Sequence, residues 1–177
     1  MKELCKPLAA IVCASLMLLA ASLALGPIRA RTAEQERQSI LEALLPGSVN
    51  FQEEPYAGGD ESIRAVYKGE TGYVVETVTA GYVGDVTLWV GVNTDGAVSG
   101  ITVHKLSETF GLGRRAASDV EFLSQFLGTD GGLTVGENVD AMTGATASSK
   151  AVTKGVNAAA GFVTGADVAT SATEWGG

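Results

Sequence analysis

The sequence predicts an α+β protein, in which an N-terminal transmembrane helix precedes one domain with a twisted antiparallel sheet and packed helices. Three observations support this class: a long uncharged segment near the start, a central series of β-branched segments separated by glycine-rich turns, and an alanine-rich helix near the end. We expect a membrane anchor at 1–30, a connecting helix and loop at 31–62, the folded domain at 63–165, and a loosely ordered tail at 166–177.

The predicted anchor is an uncharged run from Pro7 to Ile28, bracketed by Lys6 and Arg29. Its apolar part is near the lower limit of length for crossing a bilayer, and it is longer than the apolar core of a typical signal peptide. A retained anchor fits this length better. A cleaved signal peptide remains an alternative, because Ser22-Leu23-Ala24 has the small-x-small pattern of a cleavage site. The flanking basic residues do not settle the orientation.

Charge and composition exclude several classes of function. The formal net charge is -8, whereas a nucleic-acid backbone requires a basic face, so we expect no nucleic-acid partner. Both cysteines, Cys5 and Cys13, lie in or beside the anchor, so the rest of the chain can form neither a disulfide nor a cysteine-ligated cluster. His104 is the only histidine and is more often structural in such a position. We therefore expect no metal ligands and no catalytic side chains.

Sequence patterns predict the elements of the connecting region and of the sheet. Thr32-Ala-Glu-Gln35 is typical of a capping box and predicts a helix to about Leu45, whereas Phe51–Ser62 predicts a loop. Asp95-Gly96 predicts a tight hairpin turn, for which these residues supply the positive φ angles. The four predicted strands are Ile63–Lys68, Tyr73–Ala80, Val86–Val92 and Val98–Leu106.

Two helices are predicted in the last third of the chain. The first covers Glu121–Leu127 and the second covers Ala147–Phe162, with the glycine-rich loop Gly128–Gly136 after the first. The core side chains expected from these helices are Phe122, Leu123, Phe126 and Leu127 from the first, and Val152, Val156, Ala159 and Val163 from the second.

The most informative stretch is Asp140-Ala-Met-Thr-Gly-Ala-Thr146, directly before the second helix. Thr143 is at the expected N-cap position and Thr146 in the first turn. Amide groups without intrahelical partners and the positive end of the helix dipole suit a phosphate there, and a hydroxyl could carry one as an ester. The same residues also occur in an ordinary small-residue helix start.

A second informative run, Glu108-Thr-Phe-Gly-Leu-Gly-Arg-Arg115, follows the last predicted strand. A Gly-x-Gly turn can bring backbone amides close to an anion, and Arg114 and Arg115 could add positive charge. The alternative is that the glycines only shape a turn and that the arginines are solvated.

Together the two runs resemble the FMN-binding domain family, which includes the G subunits of Rnf-type complexes and the C subunits of sodium-translocating NADH:quinone reductases. In the earlier run Phe110 replaces the family's usual proline. The resemblance implies FMN joined through a phosphoester to Thr146 by a flavin transferase that uses FAD and a divalent cation. Leu112 and Met142 are expected beside the flavin ring, and Asp140 either fixes the turn or assists recognition by the transferase. The matching residues are Asp140, Thr143, Gly144, Ala145 and Thr146 in the later run, and Glu108, Thr109, Gly111, Leu112 and Gly113 in the earlier one.

The resemblance also implies a function. It predicts a redox subunit that relays electrons within an Rnf-type ferredoxin:NAD oxidoreductase complex, coupled to sodium or proton translocation. Its partners would be the other membrane subunits of the complex. The subunit would cross the cell membrane once and hold its flavin domain on the extracytoplasmic side, with no independent substrate site. The alternatives are a stand-alone extracytoplasmic flavin carrier or reductase domain, and a secreted non-catalytic binding domain in which Thr146 only begins a helix.

Overall fold

A computed structural model describes residues 15, 17, 31–106 and 119–165, and the chain divides into two compact units, Met1–Ser39 and Ile40–Gly177. The predicted anchor therefore lies outside the described residues, except for residues 15 and 17, which are helical. The predicted tail lies outside them as well. Within the described ranges, no helix is long and apolar enough to cross a membrane.

Helix α1 covers residues 31–44, of which 31–39 belong to the first unit. In that unit, Glu34 accepts hydrogen bonds from Arg37 (2.6 Å) and Gln38 (3.1 Å), and these bonds lower the pKa of its carboxyl group. Residue 31 is already helical, so the prediction that Thr32 caps the helix is wrong. After the helix the chain turns at Gly47, where φ is +88°, as the Pro-Gly pair predicts.

Five strands form one antiparallel sheet in chain order, which confirms the predicted sheet. The strands are β1 (Gln52–Glu54), β2 (Ile63–Lys68), β3 (Gly72–Ala80), β4 (Asp85–Asn93) and β5 (Val98–Leu106). Strand β1 falls within the stretch predicted as a loop, so that prediction is wrong for three residues. Gln-Glu-Glu has no intrinsic preference for a strand, and its pairing with β2 at the edge of the sheet determines its conformation.

The turn between β4 and β5 differs from the prediction in one respect. Gly96 has a φ of +91°, but Asp95 does not adopt a positive φ. Asn93 and Ala97 are joined by a backbone hydrogen bond of 2.9 Å, and the Asp95 carboxylate accepts a bond from the Ala97 amide at 3.1 Å. A three-residue hairpin loop needs the left-handed conformation only at its last position, which is why glycine is required at 96 alone.

Helix α2 (Val120–Ser124) is shorter than predicted. Asp119 caps it by accepting a hydrogen bond from the Phe122 amide at 3.1 Å. Phe122 and Phe126 are buried in the core as predicted, but Leu127 is 49% exposed. Because the α-helix ends at Ser124, Leu127 does not continue its apolar face, and its predicted burial is wrong.

Helix α3 (Thr146–Thr164) packs on one face of the sheet, against β3 and β4. Three of the four predicted stripe residues, Val152, Val156 and Ala159, are fully buried, and Val163 is half-buried. The helix is rich in alanine and glycine because it lies close to the sheet. A Cβ atom added at Gly155 would lie 2.6 Å from Leu88 Cδ1.

The opposite face of the sheet is covered by the C-terminal end of α1. Leu44 belongs to a buried cluster with Tyr67, Val74 and Trp89. The sheet therefore has an apolar layer on each side within the unit Ile40–Gly177, with α3 on one face and the end of α1 on the other.

Candidate functional site

The residues that precede α3 form a tight turn. The Ala145 amide donates a hydrogen bond to the Met142 carbonyl oxygen at 3.0 Å, and Gly144, the third residue of the turn, has a φ of +79°. Residues with a side chain rarely adopt such a value, so this position requires glycine. The turn reverses the chain and makes Thr146 the first residue of α3.

The N-cap of α3 is Ala145, so the prediction that Thr143 caps the helix is wrong. Thr143 lies in the exposed turn instead, because the positive φ of Gly144 separates it from the helix. The consequence for the site is chemical. An alanine side chain cannot accept hydrogen bonds from the first-turn amides, and the first turn of α3 contains no acidic residue.

Thr146 combines exposure with a fixed backbone. It is solvent-exposed at the start of a 19-residue helix, and its hydroxyl forms no hydrogen bond within the part of the chain that the structure describes. The amides of the first helical turn and the helix dipole create a positive field around it. An accessible hydroxyl in such a field fits the formation of a phosphate ester.

Ser149 stabilises the turn through two hydrogen bonds of its hydroxyl. It is fully buried, and its hydroxyl donates a hydrogen bond to the Ala145 carbonyl oxygen at 3.0 Å and accepts one from the Met142 amide at 3.2 Å. One side chain thereby joins both ends of the turn. The sequence analysis missed this role, although a serine within a helix commonly bonds back to the carbonyl four residues earlier.

Two side-chain amides hold the loop that leads into the turn. Gln125 accepts a hydrogen bond from the Asp140 amide at 2.8 Å and donates one to the Asp140 carbonyl oxygen at 3.3 Å. Asn157, on α3, makes the same pair of bonds with the backbone of Leu133, at 3.0 and 2.8 Å. The sequence analysis missed both. The Asp140 side chain is exposed, and its carboxylate forms no hydrogen bond with the described residues, so Gln125 rather than this carboxylate fixes the backbone here.

We expect Asn157→Leu to destabilise the domain substantially. Leucine has a similar size but leaves the buried amide and carbonyl of Leu133 unpaired, at about 1–3 kcal/mol for each group. Urea unfolding measures the change. The control is Asn138→Leu, which removes exposed bonds to the Thr134 amide and the Gly132 carbonyl oxygen that water can replace. Equal unfolding free energies for the two variants would contradict the role given to Asn157.

The start of α3 and the end of β5 lie at the same end of the sheet. The Thr79 hydroxyl donates to the Ala151 carbonyl oxygen at 2.8 Å, and Thr79 pairs with Val86, which in turn pairs with Leu106. The second motif begins at Glu108, two residues after Leu106. Its predicted site residues lie outside the described residues: Glu108, Thr109, Gly111, Leu112 and Gly113.

Two further side chains singled out by the sequence can be placed. Met142, one of the two residues expected beside the flavin ring, is partly buried and packs against the core between the sheet and α3. His104 is exposed on β5 and stacks on Trp89, with ring centroids 4.5 Å apart and an interplanar angle of 9°. Trp89 belongs to the cluster on the face opposite α3, which agrees with a structural role for His104.

Comparison with known proteins adds independent information. The sequence model of the FMN-binding domain family matches residues 81–161, a range that includes β4, β5, the motif before α3 and most of α3. The G subunit of the Na⁺-translocating ferredoxin:NAD⁺ oxidoreductase complex of Acetobacterium woodii is 39% identical over 113 residues, which span 55% of this chain and 54% of the relative.

Two relatives match over more of their length. The G subunit of the proton-translocating ferredoxin:NAD⁺ oxidoreductase complex of Clostridium ljungdahlii is 35% identical over 78% of each chain. The G subunit of the ion-translocating oxidoreductase complex of Methanosarcina acetivorans is 33% identical over 86% of this chain and 87% of the relative. The chain therefore belongs to the family of ion-translocating oxidoreductase complex G subunits and contains an FMN-binding domain.

Proposed function

We propose that this chain is a membrane-anchored flavoprotein subunit that relays electrons through FMN covalently attached to Thr146, within an Rnf-type ferredoxin:NAD oxidoreductase complex. The observation that carries this proposal is the exposed hydroxyl of Thr146, which has no hydrogen-bond partner in the described chain and stands at the start of a helix fixed on the sheet. The family match supplies FMN, and the names of the relatives supply the complex and its coupling to sodium or proton translocation.

The attachment is a phosphoryl-group transfer from FAD. Thr146 Oγ forms a bond to the phosphorus of the FMN half, the pyrophosphate bond of FAD breaks, and AMP leaves. The hydroxyl proton passes to a base on the flavin transferase, and no electrons are exchanged. Because Thr146 is exposed while its backbone is held by the Met142–Ala145 turn and Ser149, the acceptor oxygen is accessible and well oriented.

The protein positions the flavin and adjusts its electrostatic environment, whereas FMN, when bound, supplies the reversible redox chemistry. The first turn of α3 stabilises the negative phosphodiester, and Asp140 with the turn residues Met142, Thr143, Gly144 and Ala145 forms one wall of the site. We also assign cofactor binding to five residues of the second motif: Glu108, Thr109, Gly111, Leu112 and Gly113. In support, Leu106 lies at the same end of the sheet as the start of α3, and Glu108 follows it by two residues, at most about 7 Å of chain.

The proposed location follows from the same assignment. Residues 1–30 anchor the subunit in the cell membrane with a single pass, and the flavin domain lies on the extracytoplasmic side. Electrons arrive from one membrane subunit of the complex and leave to another. A covalent bond suits this location, because a cofactor lost outside the cytoplasm cannot be replaced from the cellular pool.

Intact mass tests the proposal. The full chain is produced with and without its flavin transferase, in the presence of FAD and Mg²⁺, and then examined by mass spectrometry and in-gel flavin fluorescence. We expect an FMN-sized mass increase and fluorescence only when the transferase is present. An unmodified chain under these conditions would overturn the proposal. Purification from native membranes tests the complex: a flavinylated chain that copurifies with no other membrane subunit would indicate a stand-alone carrier.

A further inference from the structure

Two lysines continue the line of Thr146 along α3. Lys150 follows Thr146 by four residues and Lys154 by eight, so all three lie on one side of the helix. Both lysines are half-buried, on a helix whose other positions are mostly buried. They are also the only basic residues between 119 and 165.

The two lysines differ from Lys68 in their partners within the described ranges. Across the described residues, Lys150 and Lys154 form no ion pair and no hydrogen bond, whereas Lys68 on β2 pairs with Glu54 at 3.3 Å. A lysine with a partly buried stem keeps its ammonium group accessible, so both ammonium groups are available to an anion bound beside α3.

We propose that Lys150 is a positioning residue whose ammonium group pairs with the phosphodiester that joins FMN to Thr146; this inference rests on the proposed function. A phosphodiester retains one negative charge, and an ammonium group bonds well to a phosphate oxygen. Side chains on a helix lean toward its N-terminus, and Cβ atoms four residues apart are about 5–6 Å from each other, so Lys150 reaches back toward Thr146. Lys154 begins about 12 Å along the axis from Thr146, too far for the same contact.

Lys150 acts during attachment as well as afterwards. While the bond from Thr146 Oγ to phosphorus forms and the bond to the departing AMP breaks, the ammonium group holds the phosphate beside the hydroxyl. Lys150 stays protonated throughout, and the hydroxyl proton goes to the transferase. Lys150 thus contributes position and charge without taking part in bond making.

The first test measures the rate of flavin transfer by intact mass for the wild type, Lys150→Gln, Lys150→Arg and Lys154→Gln. We expect Lys150→Gln to be slower by about tenfold, the effect of losing one charge-assisted hydrogen bond. Lys150→Arg keeps the charge and is expected to retain most of the rate, and Lys154→Gln is the matched control with nearly unchanged rate. Equal rates for Lys150→Gln and Lys154→Gln would overturn the proposal. Thermal unfolding checks that every variant is folded.

The second test needs no variant and excludes a role of Lys150 in contacting only the transferase. Wild-type protein with and without attached FMN is acylated with an amine-reactive reagent, and each lysine is quantified by peptide mass spectrometry. We expect attached FMN to protect Lys150 several-fold, with Lys154 and Lys68 unchanged. Absence of protection at Lys150 would overturn the pairing even if Lys150→Gln slows transfer. Failure of the proposed function gives a different result, since the wild type would then carry no flavin.

Discussion

Replacing Thr146 by alanine is expected to abolish covalent flavin attachment completely. Four hydroxyl side chains lie between residues 143 and 149, but Ser148 is 2% exposed and Ser149 is fully buried. Only Thr143 and Thr146 are exposed, and only Thr146 belongs to the helical turn whose amides stabilise a phosphate. No other hydroxyl in the segment combines access with that electrostatic environment.

Intact mass and in-gel fluorescence of protein produced with the transferase measure this effect. Thr146→Ser restores the acceptor oxygen and should restore attachment. The matched control is Thr94→Ala, which removes an exposed hydroxyl from the turn between β4 and β5 and should leave attachment intact. Alanine is a better helix former than threonine, so loss of flavin from Thr146→Ala cannot be attributed to loss of the helix. Full attachment to Thr146→Ala would mean that another hydroxyl is the acceptor.

The sequence predicted the sheet better than it predicted the helix boundaries. Strands β2 and β5 begin and end where expected, because β-branched residues alternate between glycine-rich turns. Strand β1 was missed, since pairing with β2 rather than its own composition makes it a strand. The N-cap of α3 was misplaced because the positive φ of Gly144 inserts a turn that no helix-start pattern encodes.

The sequence predicted the chemistry of the candidate site but not the long-range hydrogen bonds that stabilise it. Thr146 follows from a motif of adjacent residues, whereas the bonds from Gln125 and Asn157 join residues 15 and 24 positions apart. Such contacts depend on how α2 and α3 pack and leave no local pattern. Asn157 did carry one signal: it is a polar residue between Val156 and Ala158 on a helix with a strong apolar stripe, and a buried polar side chain there requires a partner.

The second large effect is expected at Gly91, on the sheet face opposite α3. Gly91 on β4 pairs with Gly100 on β5, and the two glycines leave a gap that receives the backbone of Leu44. The Ser99 hydroxyl donates to the Leu44 carbonyl oxygen there at 2.7 Å. A Cβ at Gly91 would overlap that carbonyl oxygen, and one at Gly100 would lie 2.7 Å from it. The obstructing atom is backbone, so no side-chain rotation relieves the contact.

Gly91→Ala is therefore expected to lower the free energy of unfolding by more than the about 1–3 kcal/mol typical of overpacking. A loss of that size is a large part of the about 5–15 kcal/mol that stabilises a typical domain. Urea unfolding followed by tryptophan fluorescence reports it directly, because Trp89 lies in the same buried cluster as Leu44. Gly59→Ala is the matched control, since a Cβ there meets nothing within 4 Å and its φ is not positive. Similar unfolding free energies for the two variants would show that the end of α1 can move aside.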